Sequence, residues 1–168
     1  MNAKMNTKKL ATLSMAVALA MILSFVESQI PPLSAVPGVK LGLSNLVAVT
    51  LLYVYSWREA GAVSLIRVLL SALLFGNAVS LIYSASGALL SLITMTFAKK
   101  CLPFGKVGVS VIGAVMHNAG QIIAACIVMD NAKIAVYIAP LVVSGTIAGV
   151  AVGILSGIIV MRVGKYIK

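Results

Sequence analysis

Acidic side chains are almost missing from this sequence: Glu27, Glu59 and Asp130 stand against 13 lysines and arginines, for a formal charge of +10. An excess of cations can signal nucleic-acid binding, but that needs a basic patch on a soluble fold. Here the cations sit between long apolar segments, and a nucleic-acid partner is set aside. Histidine is scarcer still. His117 stands alone, with no Cys, His or carboxylate at ligand spacing, and reads as a satisfied interior histidine rather than a metal ligand. The two cysteines, Cys101 and Cys126, form no Cys/His metal pattern and fall near opposite ends of the apolar segments, too far apart for a disulfide. No GxxxxGK[ST] loop is present, and the GNAVS at Gly76 is too short and misplaced to imitate one, so ATP hydrolysis would have to come from another chain.

What the sequence does have is hydrophobicity. Apolar residues make up 61% of the chain and the mean hydropathy is +1.13, far outside the range of a soluble globular domain. Apolar segments near membrane-spanning length predict six helices, at about 10–28, 41–55, 60–75, 79–98, 107–129 and 134–162, in one integral membrane domain covering 1–168. The second and third are short for about 30 Å of hydrocarbon, and the last is long enough to tilt or bend near Pro140. The first run follows Lys4, Lys8 and Lys9, as a signal peptide would, but it is too long and SFVESQ lacks a small-x-small cleavage site. It reads as a retained helix. Ten cations then fall on one side of the bundle and only Lys40 and Lys133 on the other, with Arg67 inside the third helix. The positive-inside rule places both termini in the cytoplasm, in a multi-pass protein of the cell membrane.

Polar residues within the helices recur at spacings of three, four and seven. Ser64, Arg67 and Ser71 share a face of the third helix; Ser80, Ser84, Gly87 and Ser91, with Tyr83 beside them, share one of the fourth; Ser110, His117, Asn118 and Gln121 share one of the fifth. In lipid such faces turn inward. By depth they gather toward the outer half, which predicts a pocket open to the outside and floored by apolar packing. Lys40, Asn45, Arg67, Asn77, Tyr83, Asn118 and Gln121 converge by phase and depth and form the candidate substrate-binding set. Lys40 and Arg67 give it positive character, favouring a carboxylate, phosphate or other electron-rich group. Two roles stay open for Arg67, because a cation near mid-helix costs at least about 2.5 kcal/mol unless paired or hydrated. It binds a ligand, or it pairs with Glu27 or with helix-end carbonyls. Single serines, by contrast, routinely bond across helices or back to a carbonyl.

Gly145, Gly149, Gly153 and Gly157 recur every four residues in the last helix, and Ala16 and Ala20 do so in the first. Such ladders let another backbone approach closely. The glycines suit packing inside the bundle as well as against a partner. The alanines, on a helix without polar residues until Ser24, leave a face for another subunit.

In ESQIPP, VPGVKLGLSN, SLIRVLLSALLFGN, SLIYSASG and GAVMHNAGQ the chain resembles a family of small integral membrane proteins labelled both Gx transporter and heptaprenyl diphosphate synthase component I. The likeness runs from about Ala16 to Gln121. That family in turn is similar to the substrate-binding S components of energy-coupling factor (ECF) transporters. The resemblance implies an all-α six-helix bundle with a gating loop after helix one, an outward pocket, and small residues on helix one that dock onto a transmembrane coupling protein driven by ATPase subunits. Ala16 and Ala20 match that docking pattern, and PGVKLGLSNL, from Pro37 to Leu46, would be lid and pocket rim.

The synthase label implies an active site this chain cannot build. Prenyl diphosphate synthases bind magnesium through DDxxD motifs, because a departing diphosphate needs metal ions on its oxygens. One aspartate cannot supply one. The expectation is therefore a protein that is not itself an enzyme and needs no cofactor: an S-component-like subunit capturing a small solute from outside for ATP-driven uptake. The alternative is a non-catalytic accessory subunit, beside another membrane subunit, in isoprenoid, prenyl diphosphate or quinone metabolism or in membrane redox assembly.

Overall fold

The computed structural model describes residues 7–29 and 42–167, with side chains up to Gly164. Lys40 and the first half of PGVKLGLSNL lie outside the described residues. Six α-helices run in order: α1 Thr7–Gln29, α2 Asn45–Val54, α3 Trp57–Phe75, α4 Ala78–Cys101, α5 Lys106–Val128 and α6 Ile138–Ile167. A 3₁₀ turn, Ala132–Tyr137, leads into α6, and there is no strand among the described residues.

Local chemistry explains the breaks. The Ser56 hydroxyl accepts the Arg58 amide and opens α3, and the Asn77 side chain accepts the Ser80 amide at 2.8 Å and opens α4. Pro103 disfavours helix at the residue before it, and α4 ends at Cys101. Asn131 caps the 3₁₀ turn by accepting from the Lys133 amide at 3.0 Å. The sequence predicts one long last helix bending near Pro140. Instead the helix begins at Ile138, which puts Pro140 in its first turn, where no intrahelical hydrogen bond is lost.

Helix α2 sits in the middle. It is apolar on all sides, with Val47, Ala48, Val49, Leu51, Leu52 and Val54 buried, and it touches each of the other five helices. Its 10 residues span only about 15 Å, half a hydrocarbon core. The predicted segment 41–55 is thus a central plug. Among the described residues four elements are long and apolar enough to cross a membrane: α1, α4, α5, and the 3₁₀ turn together with α6. Helix α3 has 19 residues and carries Arg58, Glu59 and Arg67.

Contacts between α1 and α3 keep a constant offset of 50 residues: Lys9 with Glu59, Met21 with Ser71. Phe25 continues the register, meeting Phe75 edge-on at 5.6 Å. The two helices therefore run parallel, with their lysine-rich ends together. On the other side, α5 packs extensively on both α4 and α6. Glycine makes the second contact close: a Cβ at Gly149 would lie 2.7 Å from the Val111 Cα, and one at Gly153 would lie 2.6 Å from the Val107 Cα. The glycine ladder is spent inside the bundle, except at Gly157, where the nearest atom, Lys106 Cδ, is 3.9 Å away.

Candidate functional site

The beginning of α2 organises the interior. Its first turn has no side-chain cap from Ser44. The Glu27 carboxylate of α1 instead holds the turn just before that helix, across 15 residues of chain, accepting the Gly42 amide and the Leu43 amide, the latter at 3.3 Å. An anion suits the exposed amides and positive dipole end of a helix start. Gly42 makes the geometry possible: its φ is +84°, and any side chain there would meet Asn45 Nδ2 at 2.9 Å and the His117 ring at 3.5 Å. Asn45 and His117 therefore both pack against this turn.

Other polar side chains gather around it. On α4, Gly87 leaves room for α5: a Cβ there would lie 2.8 Å from the His117 carbonyl oxygen and 2.9 Å from Gln121 Cγ. Asn118 points toward α6, where its Nδ2 donates to the Leu141 carbonyl at 2.8 Å and a Cβ on Gly145 would collide with it. Arg67 is buried on α3, and the Glu27 carboxylate is the charge acting on it. Glu27 thus serves the turn before α2 and a buried cation together.

The sequence-predicted set divides as follows. Asn45, Arg67, Tyr83, Asn118 and Gln121 are all buried, each no more than 4% exposed. Tyr83 belongs to an apolar cluster with Ile122, Ala125, Ile134 and Leu141 rather than to the turn around Gly42. Asn77 is exposed and spends its side chain capping α4. Lys40 lies outside the described residues. Instead of lining an open mouth, the buried members sit in the closed interior, and the larger apolar grooves on the bundle are lined by other residues.

Hydroxyls distinguish this interior from the rest of the bundle. Thr50, Ser86, Thr94, Thr96, Ser144 and Thr146 all donate to a carbonyl three or four residues back in their own helix. Ser24, Ser44, Ser84, Ser91 and Ser110 are buried and have no hydrogen-bond partner among the described residues, nor do Asn45 Nδ2 and Asn118 Oδ1. A buried polar atom left so costs roughly 1–3 kcal/mol, which makes these groups available to bind something polar. Sequence reading placed Ser84, Ser91 and Ser110 on inward stripes but missed Ser24, Ser44 and the hold of Glu27 on the turn before α2. Glu27 precedes SQIPP, and nothing local in the sequence marks that role.

The alanine pair is also divided. Ala20 is buried against α2 and α3 and is not on an outward face. Ala16 is half-buried at the floor of a groove of about 340 Å³ between α1, α2 and α6, beside Thr12, Leu19 and Thr50. The outward face of α1 is instead large and apolar, with Met15 and Ile22 well exposed.

The profile of the family described as heptaprenyl diphosphate synthase component I matches residues 16–159. The chain belongs to that family. Among solved structures, it matches one titled "Structure and mechanism of the S component of a bacterial ECF transporter" at 18% identity and a TM-score of 0.69, covering 95% of this chain and 96% of that one. No curated protein matches its sequence. The family member thus has the S-component fold: an all-helical bundle in which a short central helix is ringed by longer ones.

Proposed function

We propose that this chain is a substrate-binding membrane subunit of S-component type, which captures a small solute from outside and hands it to an ATP-driven partner complex. The observation that carries this is the interior of the bundle. Buried donors and acceptors on α2, α4 and α5 stand without partners, and a buried cation lies on α3. The whole-chain match to an S component supports the same reading. Lys40, Asn45, Arg67, Asn77, Tyr83, Asn118 and Gln121 are the proposed contacts, and Asn45 and Asn118 offer one donor and one acceptor in free positions. With the buried cation of Arg67 among its members, the set favours a solute bearing a carboxylate, a phosphate or another electron-rich group.

The chain brings no ATP-binding loop, so transport depends on a coupling protein and ATPase subunits, for which the groove holding Ala16 is the proposed docking edge. Native mass spectrometry of the protein released from mild detergent tests both halves. A retained small polar molecule, lost in Arg67→Lys and Asn118→Ala, together with co-purifying ATPases lost in Ala16→Leu, is the expected result. Arg67→Lys keeps the charge but loses the planar fork of donors, so a ligand held bidentately weakens. A retained prenyl diphosphate without ATPases would move the protein to an accessory role in isoprenoid metabolism. Retention undiminished in the Arg67 and Asn118 variants would show that the residue set is wrong.

A further inference from the structure

One face of the bundle carries a feature that solute binding does not use. Between α3 and α4 runs a groove of about 270 Å³. Small residues floor it, Gly61 and Ser64 from α3 with Ala85 and Ala88 from α4, and Val68 and Leu92 wall it. The residues from Gly61 to Val68 give it a length of about 10 Å along the helix. The lining is almost wholly apolar, which suits a hydrocarbon chain rather than a solute.

The groove runs toward the lysine-rich end of the bundle. One helical turn before Gly61 stand Trp57 and Arg58, and two turns after Leu92 on α4 stands Lys100, exposed. Trp57 is 47% exposed, and the Arg58 guanidinium lies 5.6 Å from its ring centroid, an arrangement typical of the membrane–water interface. Neighbouring charges do not compete for these cations. The Glu59 carboxylate is held by Lys9 and by the Ser56 hydroxyl. Lys99 donates instead to the Leu52 carbonyl at 2.5 Å and lies over the Tyr53 ring. Arg58 and Lys100 are left as a positive mouth below an apolar slot.

We propose that this groove seats one anionic phospholipid, its acyl chain lying on Gly61, Ser64, Ala85 and Ala88 and its phosphate held by Arg58 and Lys100. The site is separate from the buried polar set, so its failure leaves the proposed function untouched. Detergent-purified protein is titrated with phosphatidylglycerol and with phosphatidylcholine of the same chain length and read by native mass spectrometry. Wild type retains one phosphatidylglycerol at concentrations where phosphatidylcholine is lost. Arg58→Gln with Lys100→Gln, both surface changes, weakens phosphatidylglycerol retention about thirtyfold and removes the preference. Ala88→Phe fills the groove and removes retention of both lipids while the melting curve stays cooperative. Equal retention of the two lipids by wild type overturns the proposal, as does unchanged retention in the double variant. Loss of partner assembly in Ala88→Phe with lipid retention intact would assign the groove to a partner helix and overturn it equally.

Discussion

Glu27 has two tasks in this fold, and they can be separated by mutation. Its carboxylate accepts the Gly42 and Leu43 amides of the turn just before α2, and it is the countercharge for Arg67. Were charge neutralisation its whole role, Glu27→Gln combined with Arg67→Gln would restore the stability that either single change removes. The contacts to that turn predict otherwise. Replacing a carboxylate acceptor by a neutral amide weakens charge-assisted hydrogen bonds that are worth about 1.5–3 kcal/mol each. The double variant therefore melts below wild type in detergent, though above Arg67→Gln with Glu27 intact on its own if that carboxylate is left buried without its cation. Full recovery of the wild-type melting temperature would reduce Glu27 to a counterion.

At the scale of helices, the glycine ladder is the sharpest case. Gly149→Leu drives a side chain into the α5 backbone at Val111 and costs about 1–3 kcal/mol, whereas a Cβ at Gly157 meets only the flexible Lys106 side chain at ordinary contact distance. Thermal unfolding of the two variants should differ clearly; equal melting would show that the ladder does not set the α5–α6 approach. A second test lies at the lysine-rich end, just before the apolar run of α3. There Lys9 donates to Glu59 at 2.5 Å and ties α1 to α3. Hydrogen bonds from Lys9 first and Ser56 second hold the Glu59 carboxyl at about 2, below its ordinary 4.5. A depressed folded value means that the stabilisation is full above about pH 4.5 and fades as pH falls through about 2. The pair is partly exposed, so the loss is at most about 1 kcal/mol. Glu59→Gln should flatten that acid limb of a melting-temperature profile, and a profile unchanged by the substitution would deny the pair any weight.

These elements also show what the sequence carries. The boundaries of α3, α4 and α5 follow from apolar periodicity punctuated by Ser56, Asn77 and Pro103, which are local signals, and the structure reproduces them within about three residues. The inward stripes on α4 and α5 are legible for the same reason. The start of α2 is not, because the turn that leads into it is held from another helix, 15 residues away. Nor does spacing say which way Ala20 faces, since a small residue suits a close neighbour inside the bundle as well as a partner outside it.

For the whole molecule, the decisive question is which end faces the cytoplasm, because the outward orientation of the solute site depends on it. Lys9, Arg58, Lys99, Lys100 and Lys106 all stand at or near helix ends on one side, and the parallel pairing of α1 and α3 through Lys9 and Glu59 holds two of those ends together. Lys133 lies at the opposite end, in the 3₁₀ turn after α5. Positive residues resist translocation, so the expected orientation keeps the lysine-rich end inside. The protein carries its own probe for this: Cys101 is a free, exposed thiol at the end of α4. In intact cells, a membrane-impermeant thiol reagent should leave Cys101 unlabelled in a Cys126→Ser background. It should label Lys133→Cys when both native cysteines are replaced by serine. Permeabilised cells should label both, which establishes that each thiol is reactive. The reverse pattern in intact cells would place the α2 start and its polar surroundings toward the cytoplasm, and capture of a solute from outside could not then proceed through that site.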